Sequence, residues 1–147
     1  MEVSAANGGA MELAATGNVV AIFRVMSNEL STPKILVCQQ DKNKTFATNF
    51  TSGFSAKNIS YFVGLDADKK FPQTFFSGDD NFAIGGVSVK SGLLELSTNT
   101  PITWTAARHK FCGNIDLADN FVESITSEGL KQLLQQTGLA TNRLAIP

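Results

Sequence analysis

Few residues in this sequence have the chemistry of a reactive centre: one histidine, His109, two cysteines, Cys38 and Cys112, and the adjacent carboxylates Asp79 and Asp80 within FFSGDDNFAIGG (75–86). Two neighbouring carboxylates between apolar runs could hold Mg²⁺ for phosphoryl transfer. That chemistry needs carboxylates converging from separate strands, and copying a nucleic acid also needs a template channel and basic residues to grip nucleotides. A chain of 147 residues has no room for that apparatus. The alternative is a turn. Ser77 to Asn81 carries the Gly, Asp and Asn chemistry of a hairpin between TFF and NFAI, and the spacing predicts one there. Asp66 and Asp68 lie in the lysine-bearing stretch DADKK (66–70), a second exposed turn. A weak Ca²⁺ site from Asp66, Asp68, Asp79 and Asp80 is the remaining metal reading, although these loops lack the ligand rhythm of an EF-hand.

Any Ser-His-Asp or Cys-His site must use His109, which sits between Arg108 and Lys110. An Arg-His-Lys triplet reads as a solvated basic strand end. Cys112 is three positions away, and in a strand such residues point to opposite faces, which disfavours a dyad between them. Two cysteines and one histidine make no credible zinc set, and no glycine-rich phosphate loop is present. The sequence therefore predicts a protein that is not an enzyme, with no catalytic residues, no metal and no cofactor. Cys38 and Cys112 read as two buried thiols, since nothing else points to an oxidising compartment. The sequons at Asn43, Asn49 and Asn58 read as chance matches in an Asn- and Thr-rich chain.

Composition supports a strand-and-turn protein. There are 11 Phe against one Trp and one Tyr, and the net charge is −1 with 17 % charged residues, too weak a field to collect nucleic acid or anionic membrane from a distance. The N-terminal stretch lacks the apolar core of a signal peptide, and no run is long enough to span a membrane.

The elements that must position these residues follow from the apolar runs. NVVAIFRVM (18–26), KILVCQQ (34–40), KTFATNF (44–50), ISYFVGL (59–65), NFAIGGVSVK (81–90), SGLLELS (91–97), PITWTAAR (101–108) and HKFCGNIDL (109–117) read as about eight short strands separated by polar turns. Phe46, Thr48 and Phe50 would share one strand face, Ile102 and Trp104 a buried one. Gly85-Gly86 suggests a bulge or a close backbone approach. DNFVESITSEGLKQLLQQTG (119–138) reads as the helix, capped by Asp119 and stopped by Gly138, or as two pieces with the second starting near Thr126-Ser127. The predicted fold class is α+β, mainly β: an antiparallel sheet or sandwich with a C-terminal helix, possibly two. It forms a single domain over 1–147, with an N-terminal arm (1–17) and a C-terminal tail (139–147).

Two surfaces could carry function. Lys34, Lys42, Lys44, Lys57, Arg108 and Lys110 could gather on one sheet face and contact RNA phosphates, though the same charges also serve as edge-protecting residues. Phe121, Val122, Ile125, Leu130, Leu133 and Leu134 form an apolar helix stripe that, with Leu144 and Ile146 of the tail, could bind a neighbouring copy.

Strands followed by a helix near 119–137 and a short apolar tail resemble, in layout, the coat proteins of small RNA bacteriophages. The resemblance implies an antiparallel sheet whose C-terminal helices cross onto a dimer partner and whose inner face meets RNA. The expected function is thus a self-assembling viral coat subunit, located in the virion or otherwise in the cytoplasm, with itself and RNA as partners and no membrane. The competing expectation is a β-sandwich binding module that grips a glycan or protein through the polar turns at 41–44, 66–70 and 77–81, with Trp104 as a stacking surface unless it is core.

Overall fold

The computed structural model describes residues 4–7 and 9–147. It is α+β and mainly β. Among the described residues, nine strands form two antiparallel sheets: β1 (Tyr61–Gly64), β2 (Phe75–Asp79), β3 (Phe82–Ile84), β4 (Val87–Ser88), β5 (Gly92–Ser97), β6 (Ile102–Trp104), β7 (Cys112–Leu117), β8 (Val122–Thr126) and β9 (Thr141–Ile146). The larger sheet runs β5-β9-β1-β2-β7-β8 and the smaller β4-β3-β6.

β1 reads as an apolar run because both of its faces are covered. Phe62, Ile115, Leu144 and Ile146 point into one core with Phe75, Phe82, Leu96, Trp104 and Leu117. Val63 and Ala145, one residue out of phase, point into a second core with Val19, Ile22, Phe23, Leu36, Phe54 and Ile59. Trp104 is core, stacked edge-on against Phe82 with ring centroids 6.1 Å apart.

The region before β1 overturns three expected strands. Val19–Val25 is a helix, α2, preceded by the short α1 (Met11–Ala14) and followed by α3 (Ser27–Leu30). Asn18 caps α2 by accepting from the Ala21 amide at 3.0 Å. Val19, Ile22 and Phe23 fall on one buried helical face, so packing overrides the β preference of VVAIFRV. Pro33–Leu36 is a 3₁₀ turn with Pro at its start and Thr32 as its cap, which rules out a strand through KILVCQQ. The stretch 44–50 is irregular: Phe46 is exposed while Phe50 is buried beside Phe54. Within the expected N-terminal arm, Ala10, Leu13 and Ala14 pack on the second core, and residues 1–3 and 8 lie outside the described residues.

At the C-terminal end, Asp119 turns a hairpin instead of capping a helix. Its Oδ1 accepts from the Phe121 amide at 3.0 Å, Asn120 adopts φ 66°, and the chain returns as β8 along β7. The helix α4 (Ser127–Gln136) begins where the second of the two expected pieces does, with Thr126 Oγ1 accepting from the Gly129 amide. It buries Leu130, Leu133 and Leu134 in the first core, each worth roughly 1.5–3 kcal/mol of transfer free energy. The expected tail folds back as β9 between β5 and β1, so Leu144 and Ile146 cover their own domain. Gly85-Gly86, with φ of 57° and 83°, is the two-residue turn joining β3 to β4 and makes no close approach.

Candidate functional site

The Gly-Asp-Asp segment is not the expected hairpin turn. Gly78 and Asp79 lie inside β2, which pairs with β1 and β7 and not with β3. Gly78 is needed there because a Cβ would stand 2.7 Å from Ile115 and 2.9 Å from the Asn114 carbonyl oxygen. Asp79 is 0 % exposed, so its charge must be met inside the protein.

The groups that meet it come from distant parts of the chain. The Asn114 amide and side-chain nitrogen donate to Asp79 Oδ2 at 2.8 and 3.0 Å. Arg108 Nη1 lies 3.8 Å from Asp79 Oδ1 and 3.2 Å from Asp41 Oδ2, while Nη2 bonds Asp80 Oδ1. Nη1 also donates to the Ser60 carbonyl at 3.0 Å, and the Ser60 hydroxyl donates to Asp41 Oδ2 at 3.0 Å. Asn81 anchors the Arg108 carbonyl at 3.2 Å. One guanidinium, 5 % exposed, thus gathers three carboxylates beneath the polar crevice lined by Lys44, Asn43, Thr105 and Ser88.

Next along the chain, His109, Lys110 and Phe111 all adopt positive φ, at 50°, 51° and 64°. Left-handed backbone costs a residue with a Cβ on the order of 1–3 kcal/mol, and three in succession persist only because their neighbours fix them. The result is that His109 turns inward: Nε2 lies 3.3 Å from Cys38 Sγ and 3.6 Å from Asp79 Oδ2. Among the described residues, Cys38, Asp79 and His109 bring one ligand atom each to within 4.8 Å of one another. The cysteine that meets His109 is therefore Cys38, 71 residues away, and not Cys112; both thiols are free. Cysteine and carboxylate approach the same imidazole nitrogen, whereas a nucleophile–histidine–acid relay uses the two nitrogens separately. The Tyr61 hydroxyl, bonded to Cys38, has its pKa pushed up to about 12, first by burial and then by its neighbours Cys38 and Asp79.

Two members of the expected basic face are committed within the protein. Arg108 is buried and spent on carboxylates. Lys44 Nζ donates to the Ala56 carbonyl at 2.9 Å, and burial pushes its pKa down more strongly than Asp41 raises it. Lys34, Lys42, Lys57 and Lys110 are exposed. The four aspartates expected as a Ca²⁺ set are split: Asp66 receives Arg143, Asp68 caps its own turn through the Lys70 amide, and Asp79 and Asp80 face Arg108. Of the expected assembly residues, Leu130, Leu133, Leu134, Leu144 and Ile146 are core, Ile125 is half-buried, and Phe121 and Val122 are each 63 % exposed.

A second feature was not foreseen. An apolar groove of about 440 Å³ opens between α2–α3 and the outer face of the larger sheet, lined by Phe23, Met26, Leu30, Leu36, Val63 and Phe76. Its floor carries Ser77 and Asp116. The Asp116 pKa is raised by burial and then by Asp119, and its Oδ1 is buried without a hydrogen-bond partner. Sequence could have flagged the groove only through the helical spacing of Ile22, Phe23, Met26 and Leu30, which the β-branched run conceals. The polar centre had no local signal, because its members are brought together by the fold alone. Compared with protein-family models, curated proteins and solved structures, the chain matches none of them.

Proposed function

We propose that this chain is a non-enzymatic structural subunit that associates with copies of itself along the β8 edge, as a coat subunit does. The observation that carries the reading is the state of that edge. β8 ends the larger sheet, and its ladder groups on that side pair with no described strand. It has no Pro or Lys, the usual protections against edge pairing, and Phe121 and Val122 stand exposed at its start. Val122 pairs with Asp116 and Asp116 with Ser77, so Val122 continues the row that floors the apolar groove. Two β8 strands related by a twofold through Ser124 would set Glu123 against Ile125 and Val122 against Thr126, with no like charges opposed. With Arg108 buried, any RNA contact in such a shell falls to Lys34, Lys42, Lys57 and Lys110.

A second reading, a module holding an apolar ligand in the groove, is favoured by the groove's size, within the roughly 300–1,000 Å³ of small-molecule sites. A glycan grip through the polar turns is less supported: Trp104 is buried, and Asp41 and Asp66 already hold arginines.

Size-exclusion chromatography with light scattering, read at 260 and 280 nm, tests the assembly reading. The expected result is a dimer or larger particle that falls to the 15.7 kDa monomer in a Phe121→Glu/Val122→Lys variant. A wild-type monomer at all concentrations overturns it and leaves the ligand module. Nucleic acid in the assembled peak extends the reading to a coat.

A further inference from the structure

We propose that Cys38, Asp79 and His109 form a binding site for a divalent transition-metal ion of the zinc class, in which the ion ties the irregular region before β1 to the central sheet. The three residues come from the loop after the 3₁₀ turn, from β2 and from the left-handed segment before β7, so a shared ion would crosslink three separate parts of the chain.

Distances favour this. With Zn–N near 2.0–2.1 Å, Zn–S near 2.3 Å and carboxylate oxygen near 2.0–2.2 Å, tetrahedral ligand atoms stand about 3.3–3.6 Å apart. The sulfur–nitrogen and nitrogen–oxygen separations here are 3.3 and 3.6 Å. The donor set of thiolate, imidazole and carboxylate is that of zinc and not of Mg²⁺ or Ca²⁺, which take oxygen ligands.

Burial of the carboxylate points the same way: Asp79 is fully buried, with Oδ1 turned to the Arg108 guanidinium at 3.8 Å and Oδ2 turned to His109. Oδ2, the oxygen that faces His109, also accepts two bonds from Asn114, the outer support that metal-binding carboxylates usually have. Charge fits as well. Asp41, Asp79 and Asp80 against Arg108 and Lys44 leave one negative charge, and a Cys38 thiolate makes two, which a dication neutralises. The His109 side chain is 26 % exposed, so the fourth position is open to water. Three left-handed residues before β7 are also explained, since they aim His109 at the other two ligands.

Titration of the full chain with Co²⁺ tests the proposal. Expected is one equivalent per chain, with the near-ultraviolet thiolate-to-cobalt charge-transfer band and strong tetrahedral visible bands, and competition by Zn²⁺. The band should persist in Cys112→Ser and vanish in Cys38→Ser. In Asn114→Ala, which removes only a supporting hydrogen bond, affinity should fall about 10–100-fold. If Cys38→Ser does not fold, His109→Gln serves in its place and should lower affinity at least as much as Asn114→Ala. Absence of the charge-transfer band in wild type, or its survival in Cys38→Ser, overturns the site.

Discussion

Among the described residues, arginine pairs with aspartate from a distant segment at two places, and the two differ above all in burial. Arg108 is 5 % exposed and serves Asp41, Asp79 and Asp80 at once. Arg143, on β9, forks onto Asp66 with Nε 2.9 Å from Oδ1, while its own amide donates to Asp66 Oδ2 at 2.7 Å, and its side chain is 45 % exposed. Both pin a loop to a sheet. Only the first does so where water cannot replace it. An exposed pair contributes roughly 0–1 kcal/mol, because water solvates either partner when the other is lost. Removing one partner of a buried set strands the remaining charges in the interior, at about 3–5 kcal/mol. The difference lies in burial and not in the count of contacts.

The largest effect that tests this contrast is Arg108→Leu. It strands three carboxylates and empties the contacts to Ser60, and the expected loss is about 3–5 kcal/mol, enough to unfold a marginal domain. Urea unfolding followed by circular dichroism measures it. A midpoint within experimental error of wild type would mean that the carboxylates find other partners and that the contrast fails. Asp79→Asn comes next. The sequence alone predicts that changing Asp79 in an exposed turn leaves folding nearly untouched; the buried strand position predicts a loss of about 1–3 kcal/mol, as the bonds from Asn114 are mismatched. The same urea experiment separates the two expectations.

That reversal shows what the sequence could and could not reveal. The strands in ISYFVGL, SGLLELS, PITWTAAR and HKFCGNIDL, the burial of Trp104 and the start of the helix near Thr126-Ser127 were legible because each is decided locally, by alternation, turn residues or a cap, whereas β8 reads as a helical piece. VVAIFRV was not: its β-branched composition argues for a strand, while Asn18 and the spacing of Val19, Ile22 and Phe23 argue for a helix, and only packing against Phe54, Ile59 and Val63 decides. The tail misled for a related reason. β9 lies between β5 and β1 with Leu144 and Ile146 in one core and Ala145 in the other, a position that has no local mark in LATNRLAIP. The polar centre was least legible of all. Cys38, Asp41, Asp79, Arg108 and His109 are up to 71 residues apart, and GDD looks the same in a turn as in a strand whose Gly78 admits Phe62 and Ile115.

The smallest effect is expected at Arg143→Ala, and it sharpens the contrast because the pair has good geometry. The guanidinium approaches both Asp66 oxygens, so an argument from contact geometry alone would give this pair a weight near that of Arg108. Exposure says otherwise. Water can solvate Asp66 when the side chain is gone, and the bond from the Arg143 amide to Asp66 Oδ2 survives the substitution because it belongs to the backbone. The expected loss is therefore at most about 1 kcal/mol. It should shrink further as salt is raised from low ionic strength towards 1 M, where the Debye length falls to about 3 Å. The Arg108→Leu loss, set by desolvation inside the protein, should stay nearly constant over the same range. Measuring both variants at low and high salt therefore distinguishes burial from geometry as the controlling quantity. Equal salt sensitivity at the two positions would show that Arg108 is reached by solvent and that its three carboxylates are held as loosely as Asp66.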